Sequence, residues 1–562
     1  MTSRAGLWAA AHGLSLVAAT GVLVVANRNQ WFFGDEWAFI TDRGPDFAHL
    51  DLFRPHNDHW STIPLVIYWR LLGTFGLRSY LPYAGVVILL HLGLAHLLWR
   101  ASLRAGASAA IATALAGIFA VLGAGSENLL WAFQMGFVGA VAFGWLAVLL
   151  HDHDGRFGWR DGGGWLASVT ALMFSGPALA LVAVATLTVG LRRRRWVDTL
   201  ATAAVPLAVF AVWYGLEGRH AERVSGEDGT AWEVVDWAWA GLTHAATTVV
   251  GIPESGALLI LALLLWWARH LELATTQAAL AFAGTIGAVA FFLVTGLGRV
   301  SLGPESAEAS RYAYIATALL LPAAAIVLSR MVPDGAAPTA LVLAFCALVA
   351  FHNVGLLRTG ASEEMGREQP LKGVVVAAAT RLRARDPLAW NPPSPRQNPN
   401  LSAQDLVRLD GYGWLPDTRP TRAEELTAEA LTDVALVLPS GPLGAVALGG
   451  TGVDLRPAPP SVRQAAGVGG SGSCVEALPV IRGAQVVLGA DAGVWRVRLQ
   501  GPAGRRIKVF LQRDGLASRA MTFELPSTPL DLVSRAEGAT IAVTLPPSGS
   551  TTLCGIGTPP VA

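Results

Sequence analysis

The sequence predicts a mainly α-helical, polytopic transmembrane bundle followed by a β-rich, sandwich-like domain. Three observations predict it. Of 562 residues, 53% are hydrophobic and only 14% are charged, against about 25% charged in a soluble domain; the mean hydropathy is +0.46. The charge deficit is confined to the part before residue 357, where apolar runs of membrane-spanning length recur. From residue 436 the pattern changes to apolar–polar alternation between Gly and Pro turns, as in GVWRVRLQ and RRIKVFLQRDG, which reads as strands of a small sandwich. The net charge of +1 and the lack of a basic, aromatic-interleaved patch exclude a nucleic-acid binder.

The apolar runs are 7–26, 81–99, 107–122, 129–150, 164–174, 177–191, 196–214, 250–268, 274–296, 312–329 and 337–356, giving about eleven helices. The first has the look of a signal peptide, but it is long enough to span and further spans follow, so it reads as an uncleaved helix. Short-loop arginines orient the set. With the N-terminus inside, the inside loops hold Arg4, Arg100, Arg104, Arg156, Arg160, Arg192 to Arg195, Arg269 and Arg330, and the outside turns 123–128 and 175–176 hold none. Residues 164–191 break at Ser175-Gly176-Pro177, because Pro177 has no N–H to donate. An unbroken helix would put the Arg192–Arg195 run outside. Half-helices at membrane depth are tolerated where they line a protein cavity.

An odd number of crossings places the C-terminal part outside. Residues 357–435 read as a linker with an amphipathic helix at 371–385, a Pro/Asn stretch at 391–399 and short helices at 401–409 and 421–432; residues 436–562 form the β-rich extracytoplasmic domain. The chain has three cysteines. Cys346 sits in an apolar run as a small hydrophobe, while Cys474 and Cys554 lie in the exported domain and point to one disulfide; two free thiols are the alternative. No zinc-type spacing occurs.

Candidate chemistry gathers in the outside loops. The first, 27–62, reads NRNQWFFGDEWAFITDRGPDFAHLDLFRPHNDHW up to Trp60. Asp35 and Glu36 stand among aromatic residues at a membrane boundary, where partial desolvation raises proton affinity and suits a general base; a solvated pair capping the next helix is the alternative. His56, Asn57, Asp58 and His59 form a polar knot, either ligating a divalent metal with Asp35 or binding substrate hydroxyls. His151-Asp152-His153-Asp154 has more of the density of a metal site, but lies in an inside loop and reads as solvated. Residues 63–75 suit an interfacial helix with Arg70 snorkelling. Glu127 and Asn128 open a helix, where an acid caps or contacts substrate. In GLGRVSLGPESAEASRYAYIATALLLP, Arg299 and Arg311 either clamp a phosphate or pair with Glu305 and Glu308.

These motifs resemble the GT-C superfamily of membrane glycosyltransferases, which use polyprenyl-phosphate sugars. The Asp35-Glu36 pair after the first helix resembles that of protein O-mannosyltransferases. LMFSGPALALVAVATL is similar to the Lys-Gly-Pro helix break of lipid A aminoarabinose transferases, with Ser175 in place of Lys. SRYAYIATALLLP is similar to their Arg-Tyr-x-x-x-Pro region, with Pro322 later than the pattern. The exported domain resembles arabinosyl- and mannosyltransferases of actinobacterial cell walls, and the Ala/Arg/Gly-rich composition fits such a host. The resemblance covers residues 1–356 and implies a GT-C-like bundle with a polyprenyl-phosphate sugar donor and a glycan, lipid or protein acceptor. It implies Asp35 as base assisted by Glu36, and Arg299, Arg311 and Tyr312 on the lipid phosphate. His56, Asp58 and His59 would orient a sugar. The resemblance names no cofactor, and a divalent metal stays open as an alternative. Two other readings stand. One is a flippase for lipid-linked saccharides, disfavoured by the scarcity of mid-span charge; the other is a non-enzymatic envelope assembly protein working through its exported domain.

Overall fold

The computed structural model describes residues 4–43, 51–221, 229–333, 335–391, 401–437, 454–455, 462–465, 473–477, 485–489, 495–536, 538–546 and 550–556. The Pro/Asn stretch expected at 391–399 lies, apart from Asn391, outside them. Seventeen α-helices are present among the described residues. They are α1 (Arg4–Asn27), α2 (Glu36–Thr41), α3 (Thr62–Phe75), α4 (Leu81–Ala105), α5 (Ala109–Ala120), α6 (Ser126–Leu130), α7 (Met135–His151), α8 (Trp159–Phe174), α9 (Ala178–Arg193), α10 (Trp196–Leu216), α11 (Ala231–Val250), α12 (Ser255–Arg269), α13 (Ala279–Arg299), α14 (Ser310–Met331), α15 (Ala336–Ala384), α16 (Ala403–Gly411) and α17 (Arg422–Asp433).

The chain divides into two compact units. The first holds residues 1–30, 43–75 and 79–366; the second holds 31–42, 76–78 and 367–562. In the whole chain seven described helices are long and apolar enough to cross a membrane, or nine if two bent pairs each count as one span. The difference from eleven apolar runs has local causes. The helices on either side of Ser175-Gly176-Pro177 are 16 residues each, short of the ~20 residues a span needs. Residues 107–122 become α5, which continues through a turn at Gly123–Gly125 into α6 with a 40° bend. Residues 231–249, which fall between the apolar runs of the sequence, form α11 with Val250, started by a capping box in which Thr230 Oγ1 accepts from the Glu233 N–H. The chain then folds back by 107° into α12.

The core of the first unit is aromatic, with Tyr83, Phe119, Trp145, Trp237, Phe292 and Tyr314 all fully buried. Such side chains bury large apolar areas and fix helix spacing. The free Cys346 is buried.

In the second unit, twelve strands follow: β1 (Val434–Val437), β2 (Asp454–Leu455), β3 (Val462–Ala465), β4 (Ser473–Ala477), β5 (Gln485–Gly489), β6 (Trp495–Gln500), β7 (Arg506–Arg513), β8 (Leu516–Ala517), β9 (Met521–Glu524), β10 (Leu530–Ser534), β11 (Thr540–Thr544) and β12 (Thr551–Ile556). They build two antiparallel sheets, ordered β1-β10-β6-β12-β4-β3 and β2-β5-β11-β7-β8, with β9 also on β7. Alternate residues from both, such as Val497, Leu499, Leu532 and Leu553 from one and Val486, Val509, Leu511 and Ile541 from the other, share one core with Leu426 and Leu431 of α17. That is the arrangement period-two patterning dictates. Cys474 and Cys554, opposite each other on β4 and β12, are disulfide-bonded. Two buried carboxylates brace the helical side: Asp433 takes Arg381, Arg385 and Arg535, and Glu429 takes Arg513 through two 2.8 Å bonds.

Candidate functional site

Within the first unit, residues 51–60 form a built loop. Arg43, buried to 3% exposure, donates to the carbonyls of Asp51, Arg54 and Pro55. Trp60 stacks on Trp213 of α10 with ring centroids 5.1 Å apart, and Trp213 Nε1 donates to the Phe53 carbonyl at 2.8 Å. This frame holds a tight reversal in which His56 and His59 exchange both backbone hydrogen bonds at 3.0 Å. Asn57 adopts the left-handed conformation the reversal needs, φ 52°. The His56 ring meets Phe133 and the His59 ring meets Phe137, edge to face.

His59 lies against the helix break: a Cβ on Gly176 would fall 2.9 Å from its Nδ1. Its Nε2 is 3.4 Å from Asp58 Oδ1, and the same oxygen is 3.7 Å from Arg299 Nη2. At that distance the Arg299 contact is an ion pair without a hydrogen bond, and its guanidinium makes none among the described residues. Burial lowers the pKa of His59, and the positive charges of Arg299 and Arg311 lower it further against the opposing pull of Asp58. The imidazole is therefore neutral at pH 7. His56 is lowered to about 4, first by burial and then by Arg43.

Arg299 ends α13 and Arg311 opens α14. Arg311 Nη1 donates to Glu127 Oε1 at 2.6 Å, and the Glu127 N–H donates to Ser310 Oγ at 3.0 Å. The guanidinium lies 5.2 Å from the Tyr312 ring centroid, a cation–π contact. Tyr312 itself is buried beside Trp237, Phe291 and Phe292, so its ring supports Arg311. Next to Glu127, Asn128 is fully buried with neither side-chain polar atom hydrogen-bonded among the described residues, an arrangement that ordinary packing avoids.

Through His59 the structure links Asp58 and Arg299 to the break, and Arg311 acts on the same imidazole, with Tyr312 packed against Arg311 and His56 closing the loop. Neither arginine pairs with Glu305 or Glu308; Glu308 meets His244 at 3.5 Å instead. Glu127, expected as a cap or a substrate contact, is Arg311's partner. Asp35 and Glu36 belong to the second unit. There Asp35 is half-buried at the start of α2, and the fully buried Glu36 carboxylate accepts the Phe33 N–H at 2.9 Å. The segment is fixed by the Trp31 N–H, which donates to Glu368 Oε2 at 2.8 Å, and by Trp31 Nε1 on the Leu77 carbonyl. Among the described residues no group of three or more His, Cys, Asp or Glu side chains is placed to hold a metal ion.

The His151–Asp154 run, expected to be solvated, is instead tied into a network. Asp152 binds Arg104 Nε at 2.8 Å and Arg192 Nη1 at 2.6 Å; Arg192 also takes Asp154 through two bonds. The buried Asp161 accepts from Arg193 at 2.7 Å and meets His151 and His153 at 3.1 Å each. The arginines of the 192–195 run, read in the sequence only as a topology signal, are what enclose it.

No protein-family model and no curated protein matches the chain. Among solved structures, the crystal structure of ArnT from Cupriavidus metallidurans bound to undecaprenyl phosphate is similar at 16% identity, over 75% of this chain and 92% of that one, with a TM-score of 0.45. A likeness of that size carries no inference about this chain.

Proposed function

We propose that the chain is an integral membrane glycosyltransferase. It moves a sugar from a polyprenyl-phosphate donor to a cell-envelope glycan, lipid or protein on the outer face of the membrane. The observation that carries this reading is Arg299: a half-buried guanidinium without a hydrogen bond among the described residues, whose charge acts together with that of Arg311 on His59, the imidazole against Gly176 of the helix break. Guanidinium groups match phosphate oxygens in pairs, and donors aimed at a departing phosphate stabilise the charge that grows on it. In the step, the acceptor oxygen bonds to the anomeric carbon and the carbon–phosphate-oxygen bond breaks. The lipid phosphate leaves with the electron pair, and a base takes the acceptor proton.

Asp35 is assigned as that base, with Glu36 holding its turn through the Phe33 N–H. Asp58 and His59 orient a sugar. One observation favours a second base: His59 is neutral, is backed by Asp58 at 3.4 Å and stands among the arginines. The N-terminus is assigned to the cytoplasm and the second unit to the outside, where its disulfide is stable.

The test is transfer from a polyprenyl-phosphate sugar by the purified full chain. Asp35→Asn is expected to lower the rate by about 10²–10⁴-fold, the usual worth of a general base, with unchanged expression. If Asp35→Asn is normal and His59→Asn is inactive, the base is His59. Normal rates in both, and in Arg299→Gln, would sink the transferase reading.

A further inference from the structure

At the opposite end of the same helices lies a second cationic site. Helix α9 starts beside Gly176 and ends at Arg192 and Arg193, 16 residues on, a rise of about 24 Å. There the ends of α4 and α7 and the start of α8 border an open cavity of about 440 Å³, lined by His96, Arg100, Arg104, Leu149, Asp152 and Arg160. The charges do not cancel. Asp152 is buried and already held by Arg104 and Arg192. Arg160 donates to the Leu149 carbonyl at 3.1 Å, and neither it nor the exposed Arg100 has a carboxylate partner among the described residues. Arginines left without counter-charge around one cavity call for an anion.

The surroundings say where that anion comes from. Trp159 and Trp196 start α8 and α10 at this end and are 85% and 74% exposed. Tryptophans so placed sit at the headgroup level of a bilayer. The short-loop arginines assign this end to the cytoplasmic face, whose leaflet is the anionic one.

We propose that this cavity binds the phosphate of an anionic phospholipid headgroup, through Arg100 and Arg160, with Arg104 held in place by Asp152. The site is separate from the arginines at the helix break and does not depend on the transferase reading.

The experiment is equilibrium binding of labelled phosphatidylglycerol to the purified full chain in detergent, against phosphatidylcholine and inorganic phosphate as competitors. The Arg100→Gln/Arg160→Gln double variant is expected to bind about thirtyfold more weakly, on the basis of the usual contribution of a juxtamembrane arginine. An Arg156→Gln/Arg269→Gln variant removes the same charge from the same face outside the cavity and is expected to bind like wild type. Equal loss in both variants, or no loss in the first, overturns the proposal. Displacement by inorganic phosphate as effective as by unlabelled lipid overturns the lipid as the source of the anion. Both variants are compared with wild type by thermal unfolding, so that a loss of fold is read separately.

Discussion

Two stretches of this chain look alike as text: His56-Asn57-Asp58-His59 and His151-Asp152-His153-Asp154. In the folded chain they differ in how far their polar groups are satisfied. Around the second, Asp152 and Asp161 have negligible exposure and each meets at least two cationic or imidazole groups. Around the first, Asp58 is half exposed and meets Arg299 only at 3.7 Å. A buried network whose carboxylates are each held by two or more cationic or imidazole groups fixes helix ends, and those carboxylates have little left to offer a ligand. A partly exposed set with unspent donors can take one. Satisfaction, more than residue type, separates scaffold from site.

Matched substitutions test that contrast. Asp161→Asn leaves the buried Arg193 short of its partner, so it is expected to cost about 3–5 kcal/mol, read as a loss of unfolding free energy in detergent. Arg311→Gln is expected to lower transfer by about 10²–10³-fold while changing stability by less than about 1 kcal/mol, because its Glu127 pair is partly exposed. A large stability loss at Arg311 and none at Asp161 would reverse the contrast.

Two glycines sharpen it. A Cβ at Gly164 would lie 2.4 Å from His151 Nε2, and one at Gly176 2.9 Å from His59 Nδ1. Gly164→Ala is expected to cost about 1–3 kcal/mol by overpacking. Gly176→Ala is expected to shift the imidazole and slow transfer by roughly tenfold at little cost in stability, since small displacements of a positioned group are expensive in rate.

The smallest effect is with pH. His56 has its pKa lowered from 6.5 to about 4, chiefly by burial. Between those values the unfolded chain binds a proton that the native state refuses, so stability rises with pH. It is therefore complete above 6.5 and falls as pH drops towards 4. A shallower fall in His56→Gln, measured by denaturant titration at pH 7 and pH 5, checks this.

Much of the bundle was legible. The break at Ser175-Gly176-Pro177 follows from proline chemistry, and the two short C-terminal helices fall within two residues of their expected bounds. Helix α11 was hidden because Glu233, Asp236 and His244 interrupt its apolar pattern, although the Thr230–Glu233 box marks its start. The cationic pairs were not legible for a different reason. Arg311 and Glu127 are 184 residues apart, and Arg299 takes a carboxylate from the first loop. Spacing reaches one or two helical turns; only packing brings helix ends together. The same limit hid the arginine enclosure of the 151–154 run.

Strand β12 has a consequence for how the second unit is made. It lies between β4 and β6 and carries Cys554 opposite Cys474. Until residues 551–556 have been synthesised, β4 and β6 have no partner on those sides. They present open edges that invite pairing with other chains, and Cys474 waits as a lone thiol. Closure of this sheet, and the oxidation that locks it, is a late event in biogenesis that needs protection from the moment β4 emerges.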